Sequence, residues 1–200
     1  MDELLGIVRT VEDIDRLKCV TRTAWTATGR RESTAEHSFR LALFAMLLLE
    51  RYEELDPLKM ISLCLVHDLG EGYGGDISAA LLPDPELKAR AEAQGLSRLL
   101  RRLPIKTRER IKSLAEEYNS GETKEAEVVK ALDKLETLIS HGQGKNPPGL
   151  IDYAFNLSYG EELCNKDNTL KALRELVCEP IRRLAEESVN NADSIKENDE

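Results

Sequence analysis

The chain has 200 residues, enough for one domain with a full hydrophobic core. Aromatics make up only 4% of it while Leu, Ala, Glu, Lys and Arg abound, a composition that leans helical. A formal net charge of −9 excludes a general binder of nucleic-acid polymers, which needs a basic face.

Residues Asp2 to about Asp15 carry Leu4, Leu5, Ile7, Val8 and Val11 at helical spacing, so a helix opens the domain. No basic region followed by an apolar run announces secretion there. An aperiodic segment follows, with Trp25 and a turn at Gly29, and its charge is unusual. Between Arg16 and Arg40 six cations face two anions, a local +4 in an acidic chain. Such a patch suits a small anion, although a solvated loop reads the same way. Ser33 with Glu36 three residues later matches a capping box, predicting a helix from there to about Tyr52. On it His37, Leu41, Phe44 and Leu48 share one face, which puts an imidazole in the apolar stripe.

The stretch Leu58–Asp76 is the expected centre of the molecule. Asp56-Pro57 opens a helix that is apolar on nearly every side, and Gly70 closes it. His67 and Asp68 sit side by side at its inner end, where polar groups need partners. A divalent cation would satisfy both, and a core histidine held by its neighbouring aspartate is the plain alternative. The glycine-rich GEGYGGDIS that follows lacks the features of a P-loop or dinucleotide turn, and its polar content is Glu71 and Asp76.

Asp84-Pro85 starts a helix to about Leu103, and Thr107 one that stops at Asn119-Ser120-Gly121. Thr123 opens a further helix with the stripe Val128, Leu132, Leu135 and Ile139. Asp133 lies at the edge of that stripe, and Lys130 and Lys134 are expected to point away. A loop from His141 to Gly149, a short helix from Leu150 to about Tyr159 and a last one from about Thr169 to Glu187 complete the chain. Pro180 should kink or divide that last helix. The expectation is an all-α single domain over residues 1–188 and a polar, acid-rich tail over 189–200 that frays. The longest apolar run, Leu41 to Leu49, is too short to span a bilayer. Cys19, Cys64, Cys164 and Cys178 lack CxxC or framework spacing, so reduced thiols in a cytoplasmic protein are expected.

His37, His67-Asp68 and Asp133, spread over three predicted helices, set out the order H…HD…D. With Arg22-Thr-Ala-Trp25, Ser33-Thr-Ala-Glu-His37-Ser, His67-Asp-Leu-Gly-Glu71, Gly75-Asp76-Ile77, Glu125-Ala and Leu132-Asp133-Lys-Leu-Glu136, the chain resembles the HD-domain superfamily of metal-dependent phosphohydrolases, and within it the 5′-deoxynucleotidases. The resemblance covers residues 22 to 136. It implies a compact helical HD domain in which His37, His67, Asp68 and Asp133 hold one divalent metal between central helices. Two imidazoles and two carboxylates suit Mn, Fe, Co, Ni or Zn rather than Ca. His141 is left over and is expected to be an ordinary surface residue. Glu71, one turn beyond His67, is the candidate general acid or base, and the resemblance points to the same residue. The resemblance further implies phosphate binding by Arg22, sugar reading by Asp76 and a homodimer. Trp25 either packs on the sugar or base or anchors the fold.

The reaction so implied is hydrolysis of a deoxynucleoside 5′-monophosphate to deoxynucleoside and phosphate. Two alternatives stand beside it: another HD phosphohydrolase acting on nucleoside triphosphates or cyclic nucleotides, and a non-catalytic, metal-stabilised nucleotide-binding protein. Glu71 discriminates against the last, because a purely structural metal needs no carboxylate beside its ligands.

Overall fold

A computed structural model describes residues 1–81 and 84–196, with side chains described as far as 188. Its elements are helix α1 (Asp2–Ile14), strands β1 (Thr21–Trp25) and β2 (Arg31–Ser33), and helices α2 (Thr34–Leu47), α3 (Pro57–Val66), α4 (Glu71–Gly74), α5 (Pro85–Leu100), α6 (Ile105–Ser120), α7 (Lys124–Gln143), α8 (Tyr153–Ser158), α9 (Glu161–Cys164) and α10 (Asn168–Lys196). The fold is all-α apart from the small antiparallel ribbon of β1 and β2, paired Thr21 to Ser33 and Trp25 to Arg31.

The helix starts follow the chemistry of their caps. Ser33 accepts from the Glu36 amide while Glu36 accepts from the Ser33 amide, a complete capping box. Asp56 accepts from the amides of Leu58 and Lys59, with Pro57 at the first helical position. Thr123 accepts from the Ala126 amide. Gly121, at φ +66°, ends α6 in the left-handed conformation that a side chain disfavours.

The most enclosed helix is α7, against which α2, α3, α6 and α10 pack. Val128, Val129, Ala131, Leu132, Leu135 and Leu138 are all inaccessible, which takes in most of the predicted stripe. They meet Leu41 and Ala45 of α2 and Met60, Leu63 and Cys64 of α3. A second cluster lies between α3, α5 and α6, built on Leu17, Val66, Leu69, Leu96, Leu99, Leu100 and Leu103. The sequence put α3 at the centre, but Leu58 and Leu65 are 75% and 49% exposed, so α3 has an outer face.

Two further expectations change. In α1 the apolar stripe faces solvent, with Leu4, Leu5, Val8 and Val11 all exposed, and Gly6 and Thr10 turn inward instead. A Cβ on Gly6 would lie 2.2 Å from the Arg102 carbonyl oxygen, so α1 docks by its smallest residue. At the other end α10 passes through Pro180 as one element to Lys196. The expected tail over 189–200 therefore begins within that helix, and residues 197–200 lie outside the described residues.

Between α3 and α4 the backbone crosses α5 at touching distance. A Cβ on Gly95 would fall 2.1 Å from the Gly70 carbonyl oxygen, and one on Gly70 would fall 2.3 Å from that of Glu92. This contact fixes the turn that leads from His67 to Glu71.

Candidate metal centre

His37 follows directly on Glu36, so the capping box that starts α2 also places the imidazole. His37 is inaccessible, and its Nδ1 lies 2.5 Å from Glu136 Oε2. His67 caps the end of α3 with Nδ1 2.8 Å from the Cys64 carbonyl oxygen. A carbonyl and a carboxylate accept hydrogen bonds, so each Nδ1 carries the proton and each Nε2 turns a lone pair inward.

Those two Nε2 atoms are 3.3 Å apart. Asp68 Oδ2 lies 3.0 Å from His67 Nε2 and 3.8 Å from His37 Nε2. Asp133 Oδ1 lies 3.1 Å from His37 Nε2. The donor atoms of His37, His67 and Asp133 are all within 4.8 Å of one another. Two imidazole lone pairs and two carboxylates converging this closely repel unless a positive charge sits among them. The titration of His37 registers that demand. Burial and the Arg22 charge push its pKa down, yet Asp133 and Glu136 prevail and lift it to about 10. Burial likewise opposes ionisation of Asp133, but Lys134 and His37 hold that carboxyl well below its usual range. The donor set of nitrogen and carboxylate oxygen fits a divalent cation.

The outer contacts fix these ligands. Tyr118 donates to Asp133 Oδ2 at 2.8 Å and Lys134 Nζ sits 2.8 Å from the same oxygen, leaving Oδ1 to the centre. Glu136 is shared between His37 and Arg40, whose Nε is 2.6 Å from Oε1. Ser140 donates toward Glu32, which stands 3.8 Å from the Arg40 guanidinium. Glu32, His37 and Glu136 also bring donor atoms together, but His37 presents its N–H to that side and Arg40 supplies the charge. It is a hydrogen-bonded support rather than a second cation site. None of Glu32, Arg40 and Glu136 was singled out for this role from the sequence.

A cleft opens beside the centre, lined by Arg22, Asp68, Glu71, Asp76 and Asp133 among others. Arg22 donates to Asp68 Oδ2 at 3.4 Å and to Thr137 at 3.2 Å. Glu71, the first residue of α4, is 2% exposed and accepts from Thr34 Oγ1 at 3.0 Å. Burial first, then the Asp68 and Asp76 carboxylates, push its pKa up to about 9. Asp76 is half-buried just after Gly75, which adopts φ +79°.

Trp25 is not among the residues lining the cleft; the Arg31 guanidinium lies 5.8 Å from its ring centroid. Conversely, His141 and Lys134, read as surface residues, both line it. His141 donates from Nε2 to the Thr23 carbonyl at 2.8 Å and accepts on Nδ1 from Asn156 at 2.9 Å. Both its nitrogens thus hold the ribbon and α8 to α7. The segment from Leu150 to Tyr159, which carried no motif, forms a wall of the same cleft.

Among the described residues no helix is long and apolar enough to cross a membrane. The HD-domain family profile matches residues 14–173. The chain is 31% identical over 161 residues to the mouse 5′-deoxynucleotidase HDDC2, covering 78% of this chain and 80% of that one. To the Xenopus laevis protein of the same name it is 33% identical, over 78% and 79% of the two chains. To the Schizosaccharomyces pombe 5′-deoxynucleotidase hdd1 it is 32% identical, over 67% and 70%. A crystal structure described as a predicted metal-dependent phosphohydrolase from Magnetospirillum magnetotacticum MS-1 superposes with a TM-score of 0.76 at 28% identity, over 92% of this chain and 98% of that one. With His37, His67 and Asp133 gathered at one centre, Asp68 against the two imidazoles, and these relatives matched along most of their length, the chain belongs to the HD-domain family and groups within it with the 5′-deoxynucleotidases.

Proposed function

We propose that the protein hydrolyses deoxynucleoside 5′-monophosphates to deoxynucleosides and phosphate. The observation that carries this reading is the convergence of two Nε2 lone pairs and two carboxylates beside a cleft that also holds Arg22 and Glu71. Relatives named 5′-deoxynucleotidases support the choice of substrate.

In this reading His37, His67, Asp68 and Asp133 hold one divalent ion, of the class Mn, Fe, Co, Ni or Zn. Bound there, it supplies Lewis acidity toward the phosphate and the attacking water. Arg22, held in place by Asp68 and Thr137, offers the fixed positive charge that a phosphate dianion needs. Burial and the Asp68 and Asp76 carboxylates raise the pKa of Glu71 in the metal-free protein, and Glu71 is assigned to donate a proton to the departing 5′-oxygen as the P–O bond breaks. The carboxylate so formed recovers a proton from the attacking water. Asp76 sits on the same cleft and is assigned the sugar.

The protein is further proposed to act in the cytoplasm as a homodimer. The outer face of α2 supports the second copy, since Phe39, Met46 and Leu47 are 64%, 51% and 79% exposed there. Light scattering on the purified protein tests that state.

Glu71→Gln keeps size and removes the proton chemistry. It should retain metal and bind dAMP, yet turn over at least about a hundredfold more slowly. Elemental analysis, calorimetry and phosphate release on one sample decide it, and near-normal kcat with metal intact would eliminate Glu71 as the proton donor.

A further inference from the structure

A nucleotide bound by its phosphate at Arg22 must lay its base somewhere in the same cleft, away from the carboxylates. A base needs an apolar, π-bearing surface, because it offers two flat faces and no charge. Trp25, the ring that the sequence offered for this, does not line the cleft. Among the described residues lining it, the aromatic side chains other than His141 are Phe155 and Tyr159, and His141 has both ring nitrogens engaged.

Phe155 and Tyr159 stand one turn apart, with ring centroids 5.5 Å from each other and planes inclined by 33°. Both are half-buried, so each keeps accessible surface, and Leu150 and Ile151 extend the apolar wall. The wall is also anchored to the metal centre. Lys134 Nζ lies 5.3 Å from the Tyr159 centroid and 2.8 Å from Asp133 Oδ2, so one ammonium links the ring to a proposed metal ligand. Behind it Gly160, at φ +72°, lets the chain close on the Lys134 stem, where a Cβ would fall 2.5 Å from the lysine Cβ. Arg174 donates to the Tyr159 carbonyl at 2.8 Å. Asn156, between the two rings in sequence and buried, is tied to His141 on α7. The Lys134, Gly160 and Asn156 contacts thus hold this segment to α7, the helix that carries Asp133, and Arg174 holds it to α10.

We propose that Phe155 and Tyr159 form the nucleobase subsite, holding the base by stacking rather than by reading its hydrogen-bonding edge. The proposal rests on the deoxynucleotidase reading and specifies how that site treats its substrates. A ring face serves all four bases, so discrimination among them should be slight, while a substrate without a base should bind worse.

The test compares dAMP with 2-deoxyribose 5-phosphate, which has the same phosphate and sugar but no base. Wild-type protein should favour dAMP in kcat/KM. Phe155→Leu and Tyr159→Leu keep apolar bulk and remove the π face, and each should shrink that preference by about tenfold, mainly through a higher KM for dAMP. Tyr159→Phe keeps the ring and should keep the preference. If the wild type acts on both phosphates and neither leucine variant moves their ratio, the subsite is overturned while the activity stands. If the wild type acts on neither, the activity and the subsite fall together.

Discussion

Replacing Glu136 by glutamine isolates what the outer contacts contribute to the metal centre. Glu136 is 1% exposed, with one oxygen 2.5 Å from His37 Nδ1 and the other 2.6 Å from Arg40 Nε. Glutamine fills the same volume, but its amide has one acceptor for two donors, and its NH2 group faces either the imidazole or the guanidinium. His37 then loses the charged acceptor that keeps its proton on Nδ1 and its Nε2 lone pair directed inward. Loss of such an outer partner costs roughly 10- to 100-fold in metal affinity, or about 1.4–2.8 kcal/mol. The fold should survive. Arg40 is 35% exposed at its side chain and still has Glu32 at 3.8 Å, so its charge is left neither buried nor alone. Competition against a chelating dye should therefore show a dissociation constant for Mn or Zn raised 10- to 100-fold, with metal-free melting within a few degrees of wild type. An unchanged dissociation constant would refute the claim that Glu136 sets the imidazole, and with it the tautomer argument for the site.

Asp68→Ala removes a carboxylate that touches both His67 and Arg22, so the rise in melting temperature that metal gives the wild type should vanish; a full shift would remove Asp68 from the ligands. Asp76→Ala should narrow the kcat/KM gap between dAMP and AMP while phosphate release stays measurable, and an unmoved ratio would put sugar selection elsewhere. In metal-stripped protein Glu71 keeps its proton up to about 9 when folded but releases it near 4.5 when unfolded. The folded state thus binds more protons across that window, and stability falls as pH rises through it. Glu71→Gln should flatten that decline in a pH series of melts, and a slope identical to wild type would contradict the assigned shift.

The proposed ligand set came from the resemblance to the HD-domain family; local signals place His37, His67 and Asp68, while Asp133, at the edge of a stripe, has none of its own. A capping box announces where His37 stands on α2, and an apolar helix ending in His-Asp announces polar groups brought to the core. What escaped depends on contacts between distant segments. The periodicity of α1 gives a helix but not which side faces the protein, and a close approach at Gly6 turned its small residues inward. The ribbon is short and irregular, and is held by α7 rather than by its own pattern: a Cβ on Gly144 would lie 2.0 Å from the Trp25 carbonyl, and His141 binds Thr23. Lys134 sits on the polar side of its helix by count, yet the Asp133 carboxylate and the Tyr159 ring draw its long side chain into the cleft. Glu136 and Arg40 look like ordinary helix-surface charges until α2 and α7 are laid together. The wall at Phe155 and Tyr159 had no chemical signature at all, since apolar rings on a short helix read as packing.

The crossing of Gly70 over Gly95 divides the molecule by how freely it can vary over generations. Even a methyl group on either glycine has no space, because the obstacle is backbone rather than a side chain that can swing aside. Successive small changes therefore have no passage through the turn that sets Glu71 beside Asp68. Segment 150–159, by contrast, reaches the cleft through side chains on a short helix and a loop, where one ring can be exchanged for another without moving a main chain. Descendants of this chain that come to handle a different leaving group should carry their substitutions there, with both glycines kept.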